Sequence, residues 1–378
     1  MKYCLHTIVL LLALALVLAA CGGSSRSPLP AKELYKPVYA GGFRILGDSL
    51  SQNTVISVSN PWQGAEGVRR DLLVLREGEA PAGFDGQIMR GDARRIVAMS
   101  STHVAMLSAL GLADRIVGVS GLDFISDPAV LARCGSIADV GSEGNVDYER
   151  LLASRPDLVL LYGVSGASVM EGKLRELGIP YMYVGDYIEE SPLGKAEWLV
   201  AIAEACGVRD KGVGLFRPIP SRYEALRRKV ADAGLPAPSV MLNTPYSGNW
   251  FMPSSRSYMC LLIKDAGASP VYDRDTGSKS ATIDMEQACL LASRADFWLN
   301  PGQAASLADI RAMAPKLASL PLLTSGKVFN NNKRSTPAGG NDFYESAVVR
   351  PDTVLADLIS IFHPGLIDHN PVYYRPLR

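Results

Sequence analysis

The apolar positions along the chain change their spacing near residue 94. Before this point, short apolar runs alternate with turn residues such as Asn60 and Pro61, which is typical of β-strands joined by turns. After it, strand-like runs alternate with segments of helical length, which stop at Gly111 and before Pro156. Strand–helix alternation indicates parallel sheets covered by helices. The sequence therefore predicts an α/β protein with a small antiparallel β addition in front.

This pattern divides the chain into six segments. They are a signal peptide (1–20), a tether (21–41), a β extension (42–92), an N-terminal α/β lobe (93–192), connecting helices (193–235) and a C-terminal α/β lobe (236–378). The predicted strands are Phe43–Leu46, Val55–Val58, Leu72–Leu75, Arg95–Met99, Ile116–Val119, Asp157–Leu161, Tyr181–Val184, Ser239–Leu242, Phe297–Leu299 and Lys327–Phe329.

One motif occurs in both predicted lobes. Leu-Leu-Ala-Ser-Arg-x-Asp stands at residues 151–157 and again at 290–296, each time after an Asp-x-Glu and before an apolar strand. An internal repeat of this kind indicates two similar structural units. Two similar α/β lobes predict a cleft between them that binds a ligand.

The first twenty residues have the form of a secretory signal peptide. Lys2 supplies positive charge, and the apolar run from Ile8 to Ala20 is too short to span a bilayer stably. The run ends in Leu-Ala-Ala-Cys, which resembles the lipidation motif of bacterial lipoproteins and makes Cys21 the predicted lipid anchor. The alternative is an ordinary secretory signal with an incidental cysteine. The following Gly/Ser/Pro-rich residues predict a flexible tether.

Composition argues against several classes of function. The formal net charge is zero, so nothing indicates a nucleic-acid partner. Beyond Cys21 the cysteines form no Cys-x-x-Cys pair, which argues against a zinc or redox site and favours buried thiols, although a disulfide stays open. These cysteines are Cys134, Cys206, Cys260 and Cys289. The three histidines after the signal peptide are too few for a bare-metal site, so we predict none.

No sequence motif of an enzyme is present. The chain has no Gly-x-Ser-x-Gly elbow, Walker loop, dinucleotide-binding fingerprint or zinc-protease helix. A binding protein is therefore predicted. The alternatives are an enzyme or a non-binding structural lipoprotein on the same fold.

Ligands of parallel sheets bind beyond the carboxyl ends of the strands, so the loops after the predicted strands supply the candidate site. Aromatic side chains there favour an organic ligand that a few polar groups orient. Core packing is the alternative for each aromatic and for His103, and a solvated loop is the alternative for each charged residue. The candidates are Ser101, His103, Leu122, Phe124, Glu143, Tyr162, Tyr246, Trp250, Lys333 and Arg334.

Two acidic residues occupy matching positions in the repeat. Glu149 and Glu286 each fall in the first turn of a predicted helix. A glutamate there interacts favourably with the helix dipole, and this is a sufficient structural reason for it. If both are exposed at the lobe tips, they are also placed to pair with arginines on two subunits of a partner transporter.

With these motifs in this order, the chain resembles the periplasmic binding proteins of the ferric-siderophore, haem and vitamin B12 ABC import family. The resemblance covers about residues 93–363. Arg350-Pro351-Asp352 and residues 341–346 are similar to the Bacteroidetes lipoprotein branch. The matching pieces are residues 95–100, 110–111, 116–119, 140–149, 156–160, 177–180 and 264–268.

The resemblance implies two Rossmann-like lobes joined by one long, rather rigid helix, the class III arrangement, with a modest hinge motion. It implies a monomeric, lipid-anchored periplasmic protein that has no cofactor of its own. This protein would deliver a ferric siderophore, haem or corrinoid to an ABC permease dimer and its ATPase at the inner membrane. It also implies that Glu149 and Glu286 dock the permease.

Two features of the sequence depart from the family pattern. Leu122 stands where vitamin B12 binders resemble one another in having a tyrosine, which weakens a B12 assignment. Pro218 and Pro220 fall within the expected connecting helix. Because proline disrupts a helix interior, we predict either a kink or a new helix start at Ser221.

Overall fold

The computed structural model describes residues 32–47, 51–246, 248–277 and 279–378. The predicted signal peptide and Cys21 lie outside the described residues. In the part of the chain that is described, no helix has both the length and the apolar composition needed to cross a membrane.

The N-terminal extension is a five-stranded sheet in the order β1-β2-β3-β4-β5. Its strands are β1 (Lys32–Tyr35), β2 (Phe43–Gly47), β3 (Thr54–Ser59), β4 (Arg69–Leu75) and β5 (Gln87–Arg90). The first four pair antiparallel, whereas β5 pairs parallel to β4, so the predicted antiparallel sheet is only partly correct. The predicted tether, 21–41, is wrong at its end, because β1 belongs to this sheet.

The N-terminal lobe is built on a parallel sheet in the order β12-β11-β6-β7-β8. Its strands are β6 (Ile96–Ala98), β7 (Ile116–Val119), β8 (Ala138–Asp139), β9 (Gly141–Ser142), β10 (Asn145–Val146), β11 (Leu158–Leu161) and β12 (Tyr181–Tyr183), of which β9 and β10 form a separate hairpin. Its helices are α1 (Ser101–Ala109), α2 (Pro128–Leu131), α3 (Tyr148–Ala153) and α4 (Met170–Glu176).

The connection between the lobes consists of three helices rather than one. They are α5 (Pro192–Ala205), α6 (Arg209–Phe216) and α7 (Pro218–Ala233). Pro218 and Pro220 lie in the first turn of α7, where backbone N–H groups have no partner within the helix and a proline is tolerated. The expectation of one long helix is therefore wrong, and the new helix begins at Pro218 rather than at Ser221.

Helix α5 is the centre of the molecule. All of its 14 residues except Lys195 are buried. It contacts β2 and β3 of the extension, α1 of the N-terminal lobe, and helices of the C-terminal lobe. Because apolar side chains cover every face of α5, its burial stabilises the arrangement of all three parts together.

Buried carboxylates fasten the extension to α5. Glu197 accepts hydrogen bonds from the Tyr35 hydroxyl (2.7 Å) and from the backbone N–H groups of Val38, Tyr39 and Ala40 (3.0, 2.7 and 2.8 Å). Glu204, the penultimate residue of α5, pairs with Arg76 at 2.9 Å and with Arg209 at 3.1 Å. These bonds satisfy charges that burial would otherwise make costly.

The C-terminal lobe contains a five-stranded sheet in the order β16-β13-β18-β19-β20 and a three-stranded sheet in the order β14-β15-β17. Only β20 runs antiparallel in the larger sheet. The strands are β13 (Ser239–Leu242), β14 (Pro245–Tyr246), β15 (Asn249–Met252), β16 (Ser269–Pro270), β17 (Ala281–Ile283), β18 (Phe297–Leu299), β19 (Val328–Asn330) and β20 (Arg375–Pro376).

Helices cover this second sheet and complete the predicted α/β class. They are α8 (Tyr258–Asp265), α9 (Met285–Ala292), α10 (Leu307–Met313), α11 (Leu322–Ser325) and α12 (Pro351–Phe362). The prediction of two α/β lobes with parallel sheets and an added N-terminal β unit is confirmed.

Candidate functional site

A cavity of about 360 Å³ lies between the two lobes beside α5. Loops that follow β6, β11 and β12 of the N-terminal lobe form one side, as expected for the carboxyl ends of parallel strands. Helices α8 and α12 and the segment before α12 form the other side. The cavity therefore joins both lobes to the connecting helix.

Four tyrosines line the cavity, two from each lobe. Tyr162 and Tyr187 come from the N-terminal lobe, and Tyr258 and Tyr344 from the C-terminal lobe. Tyr187 and Tyr344 are half exposed, which places them at the rim. Most of the remaining wall is aliphatic, so the cavity suits a ligand with large aromatic or apolar surfaces.

Lys195 is the one basic side chain in the described wall of this cavity. It donates a hydrogen bond to the backbone carbonyl of Asp186, and its Nζ lies 5.0 Å from the centre of the Tyr258 ring. Burial lowers the pKa of Lys195, and the negative charge of Asp186 opposes that shift. No carboxylate oxygen in the described chain lies within ion-pair distance of this ammonium, although Asp186 and Glu189 interact with it electrostatically from further away.

His103 lies in the core rather than on the cavity wall. The ring is fully buried, and neither nitrogen has a hydrogen-bond partner among the described residues. Its Nε2 is 3.9 Å from Asp186 Oδ1, and burial lowers its pKa to about 4, so it is neutral at physiological pH. The predicted ligand contact of His103 is wrong, because helix α1 turns this face inward.

The predicted ligand contact of Trp250 is also wrong. Its ring is fully buried, 5.6 Å from the ring of Trp298, and its indole N–H donates to the Leu242 carbonyl oxygen at 2.7 Å. Side chains alternate along β15, so Trp250 points inward while its neighbour Phe251 is exposed. Trp250 therefore belongs to the core of the C-terminal lobe and does not face the cavity.

Lys333 and Arg334 have partners within the protein. Arg334 Nε lies 2.7 Å from Asp342 Oδ2, and Lys333 donates to the carbonyl oxygen of Pro371. Neither side chain lines the cavity. Their contact with an anionic ligand stays a prediction, which the wall of this cavity does not support.

Of the six remaining candidates, one lines the cavity. Tyr162 is in the wall, and burial together with the charge of Glu143 raises its pKa. Ser101 Oγ donates to the Tyr344 carbonyl oxygen at 2.8 Å, which links the two lobes. The other three, Leu122, Phe124 and Tyr246, are outside the wall, and Phe124 and Tyr246 are largely exposed. Ligand contacts of these residues and of Glu143 remain predictions.

Sequence reasoning missed most of the cavity wall. Asp186, Tyr187, Lys195, Tyr258 and Tyr344 were not among the candidates. Lys195 carries a usable signal, because it is a lone cation in the apolar run of α5. The others come from segments far apart in the chain, and only the packing of both lobes on α5 brings them together.

A direct contact holds the lobes together near the cavity. Glu345, next to Tyr344, accepts hydrogen bonds from the backbone N–H groups of Ser126 (2.6 Å) and Asp127 (3.1 Å) and from the Ser126 hydroxyl. Burial raises the pKa of Glu345 to about 7. The contact ties the C-terminal lobe to the loop after β7 of the N-terminal lobe.

Glu149 and Glu286 are both exposed in the first turns of α3 and α9. The helix caps are supplied instead by Asp147, which accepts from the Arg150 N–H at 2.9 Å, and Asp284, which accepts from the Gln287 N–H at 2.8 Å. Within the described ranges neither glutamate has an ion-pair partner. Both carboxylates are exposed at the surface.

The described residues contain no group of three or more histidine, cysteine or acidic side chains arranged to hold a metal ion. The four described cysteines are free thiols. Burial was predicted for all four and is confirmed for Cys206 and Cys260, whereas Cys289 is half-buried and Cys134 is exposed.

Residues 96–334, more than half of the chain, match the family model described as periplasmic binding protein. A lipoprotein of Methanocaldococcus jannaschii without a characterised role is 25% identical over 282 residues, or 71% of this chain and 65% of its own length. The chain thus spans about two thirds of that relative. A vitamin B12-binding protein of Vibrio campbellii is 26% identical over 38% of this chain and 50% of its own length.

Solved structures share the fold. A periplasmic haem-binding protein of Pseudomonas aeruginosa superimposes with a TM-score of 0.58 at 17% identity, covering 76% of this chain and 98% of that one. A periplasmic vitamin B12-binding protein of Vibrio cholerae gives a TM-score of 0.52 at 15% identity, covering 71% and 96%. At such identities the likeness establishes the fold alone.

Proposed function

The chain belongs to the periplasmic binding protein family, and from this premise we propose that it captures a compact iron chelate, a ferric siderophore or haem, and delivers it to an ABC importer. The observation that carries the proposal is the cavity between the lobes, with four tyrosines and the unpaired Lys195 ammonium in its wall. Tyrosine faces bind flat organic groups, and a buried cation favours an anionic oxygen such as a carboxylate or phenolate.

Cavity size supports the choice of ligand. Its volume of about 360 Å³ is near the lower end of the range of about 300–1,000 Å³ for small-molecule sites. This favours a compact chelate over a corrinoid, as does Leu122 in place of a tyrosine. A corrinoid is the second candidate, because two of the named relatives bind vitamin B12.

A thermal-melt screen of the chain from Ser24 onward against haem, cobalamin, cobinamide and ferric siderophores tests the proposal. A compound present at 100 times its Kd should add about 2.7 kcal/mol of stability. A saturable response to an iron chelate supports the proposal, and a response to cobalamin alone replaces it by the second candidate. No response from any compound contradicts it.

We expect Lys195→Met to lower the affinity for an anionic chelate about 10- to 100-fold, because a hydrogen bond to a charged group contributes about 1.5–3 kcal/mol. Methionine keeps the length and apolar stem of the side chain but removes the charge. Titration by isothermal calorimetry measures the effect. Lys229→Met, at an exposed lysine of α7, is the control. Equal affinities for the two variants would refute the role of Lys195.

Docking to the importer falls to Glu149 and Glu286 in this proposal. The two exposed carboxylates stand at equivalent positions of the two lobes, so each is placed to meet one subunit of a permease dimer. The ATPase then drives release of the cargo. The chain itself acts as a monomer.

The proposed location is the periplasmic face of the inner membrane, with the lipid on Cys21 as the anchor. Lipoproteins among the relatives support this assignment. Cys21→Ser should move the protein from the membrane pellet to the soluble fraction, since one tether would then be lost. A variant that stays in the pellet after a salt wash would show that the lipid is not the anchor.

A further inference from the structure

We infer that the N-terminal sheet is part of the ligand-binding unit, and that Trp62 is a positioning residue for the loop 162–168 in the cavity wall. This inference rests on the proposed function, because it assigns a role in the same cavity. The sheet lies before residue 96, outside the stretch that matches the family. Nothing in the family match therefore accounts for the contacts described next.

The loop between β3 and β4 packs directly against the loop after β11. The backbone N–H of Gln63 donates to the Val164 carbonyl oxygen at 2.9 Å. A Cβ placed on Gly163 would lie 2.9 Å from Trp62 Cβ and 3.0 Å from the Pro61 carbonyl oxygen. The two backbones thus approach so closely that only glycine fits at position 163.

Trp62 is itself held from several sides. Its ring meets Tyr183 edge-on at 5.7 Å, and the Arg70 guanidinium lies 5.6 Å from the ring centre. The turn that carries it is closed by the Asn60 N–H, which donates to the Val68 carbonyl oxygen at 2.8 Å, while Asn60 Oδ1 accepts from the Val68 N–H. These contacts hold the Trp62 side chain in one position, and the loop after β11 packs against it.

The far end of the loop 162–168 is held through the same sheet. The Ser168 N–H donates to the Tyr183 hydroxyl at 2.8 Å, and that hydroxyl donates to Glu171 at 2.9 Å. Glu171 in turn accepts from Arg70 of β4 at 3.1 Å. The N-terminal sheet unit therefore contacts the loop directly at Val164. It also holds Glu171 through Arg70, and Glu171 in turn holds the Tyr183 hydroxyl to which Ser168 donates.

These contacts bear on the cavity because Tyr162 is adjacent to Gly163. A shift of the backbone at Gly163 moves the Tyr162 ring in the wall. Binding sites depend on supporting residues that hold the contacting groups to within about 0.5 Å. Trp62 is outside the cavity wall, so its effect on binding must pass through the loop.

Hydrogen exchange of the full mature chain without ligand tests the positioning role. In Trp62→Ala, amides of the peptide 162–168 should exchange at least about tenfold faster, since their local support is lost. Phe84→Ala, which removes another half-buried aromatic side chain that packs against the same sheet, should leave the exchange of this peptide unchanged. Unchanged exchange in Trp62→Ala would overturn the inference. Because no ligand is present, this result does not depend on the proposed function.

Haemin and a ferric tris-catecholate serve as binding probes in a second arm. Trp62→Ala should lower the affinity for the probe about fivefold or more in the wild-type background. In a Tyr162→Ala background it should have no further effect, because the free-energy changes of residues that act as a unit are not additive. Additive losses would mean that Trp62 does not act through Tyr162. If Trp62→Ala fails to fold, Gly163→Ala replaces it and should give the same faster exchange; a normal rate there would overturn the inference as well. Failure of both probes to bind wild type counts against the proposed function only.

Discussion

Uptake should be abolished when Glu149 and Glu286 are both replaced by alanine, while the affinity of the purified protein for its cargo stays at the wild-type value. Both carboxylates are exposed, lie in the first turn of equivalent helices and have no ion-pair partner within the described chain. Removing one partner of a desolvated ion pair at an interface costs about 2–5 kcal/mol. Losing two such pairs should lower the affinity for the permease so far that no uptake is measured.

Growth on the cargo as the sole iron source, together with binding to the permease complex in nanodiscs, measures the effect. Each single variant should be partly defective. The matched control is the double variant Glu176→Ala and Asp368→Ala. It removes one exposed carboxylate from each lobe, and neither residue belongs to α3 or α9. Wild-type uptake by the double variant would end the docking assignment. A fall in cargo affinity would instead place these residues at the binding site.

Glu197→Ala should lower the free energy of unfolding by about 3–5 kcal/mol, because a hydrogen bond to a charged group contributes about 1.5–3 kcal/mol and this carboxylate accepts four, one of them from the buried N–H of Ala40. The carboxylate is fully buried and accepts four hydrogen bonds from residues 35–40. Its loss leaves three backbone N–H groups and one hydroxyl without their acceptor. The methyl group of alanine also leaves a space beside α5.

Urea denaturation followed by circular dichroism gives the free energy of unfolding. Glu190→Ala is the control, because Glu190 forms an exposed ion pair with Arg256, and such pairs contribute about 0–1 kcal/mol. Limited proteolysis should in addition cut Glu197→Ala between β1 and β2, where the released backbone lies. A loss of stability no larger than that of Glu190→Ala would contradict the structural role of Glu197.

The fold was predictable where the local spacing of apolar residues matches the way the segment packs in the structure. Alternating strands and helices after residue 94 predicted both lobes, and the repeated Leu-Leu-Ala-Ser-Arg motif predicted that they are similar. The connecting helices were less predictable, because a proline is disruptive inside a helix and acceptable in its first turn. Only the structure shows that Pro218 occupies that first turn.

The site was less predictable than the fold. Trp250 and Tyr162 both follow a predicted strand, but the sequence does not say which side of the chain faces the cavity. Alternation along β15 turns Trp250 into the core, whereas Tyr162 stays on the wall. Lys195 and Tyr258 are 63 residues apart and meet only because α8 packs on α5. Contacts of this kind depend on tertiary packing rather than on local sequence.

The burial of α5 has a consequence for the kinetics of loading. A wide separation of the lobes would expose this apolar helix to water, at a cost of about 25 cal/mol per Å² of apolar surface. Cargo exchange should therefore follow rotation of the exposed rim side chains Tyr187 and Tyr344, which takes on the order of picoseconds to nanoseconds, rather than a slow separation of the two lobes. The free protein should then load and release its cargo with little movement of one lobe relative to the other, so stopped-flow binding should show a single fast phase.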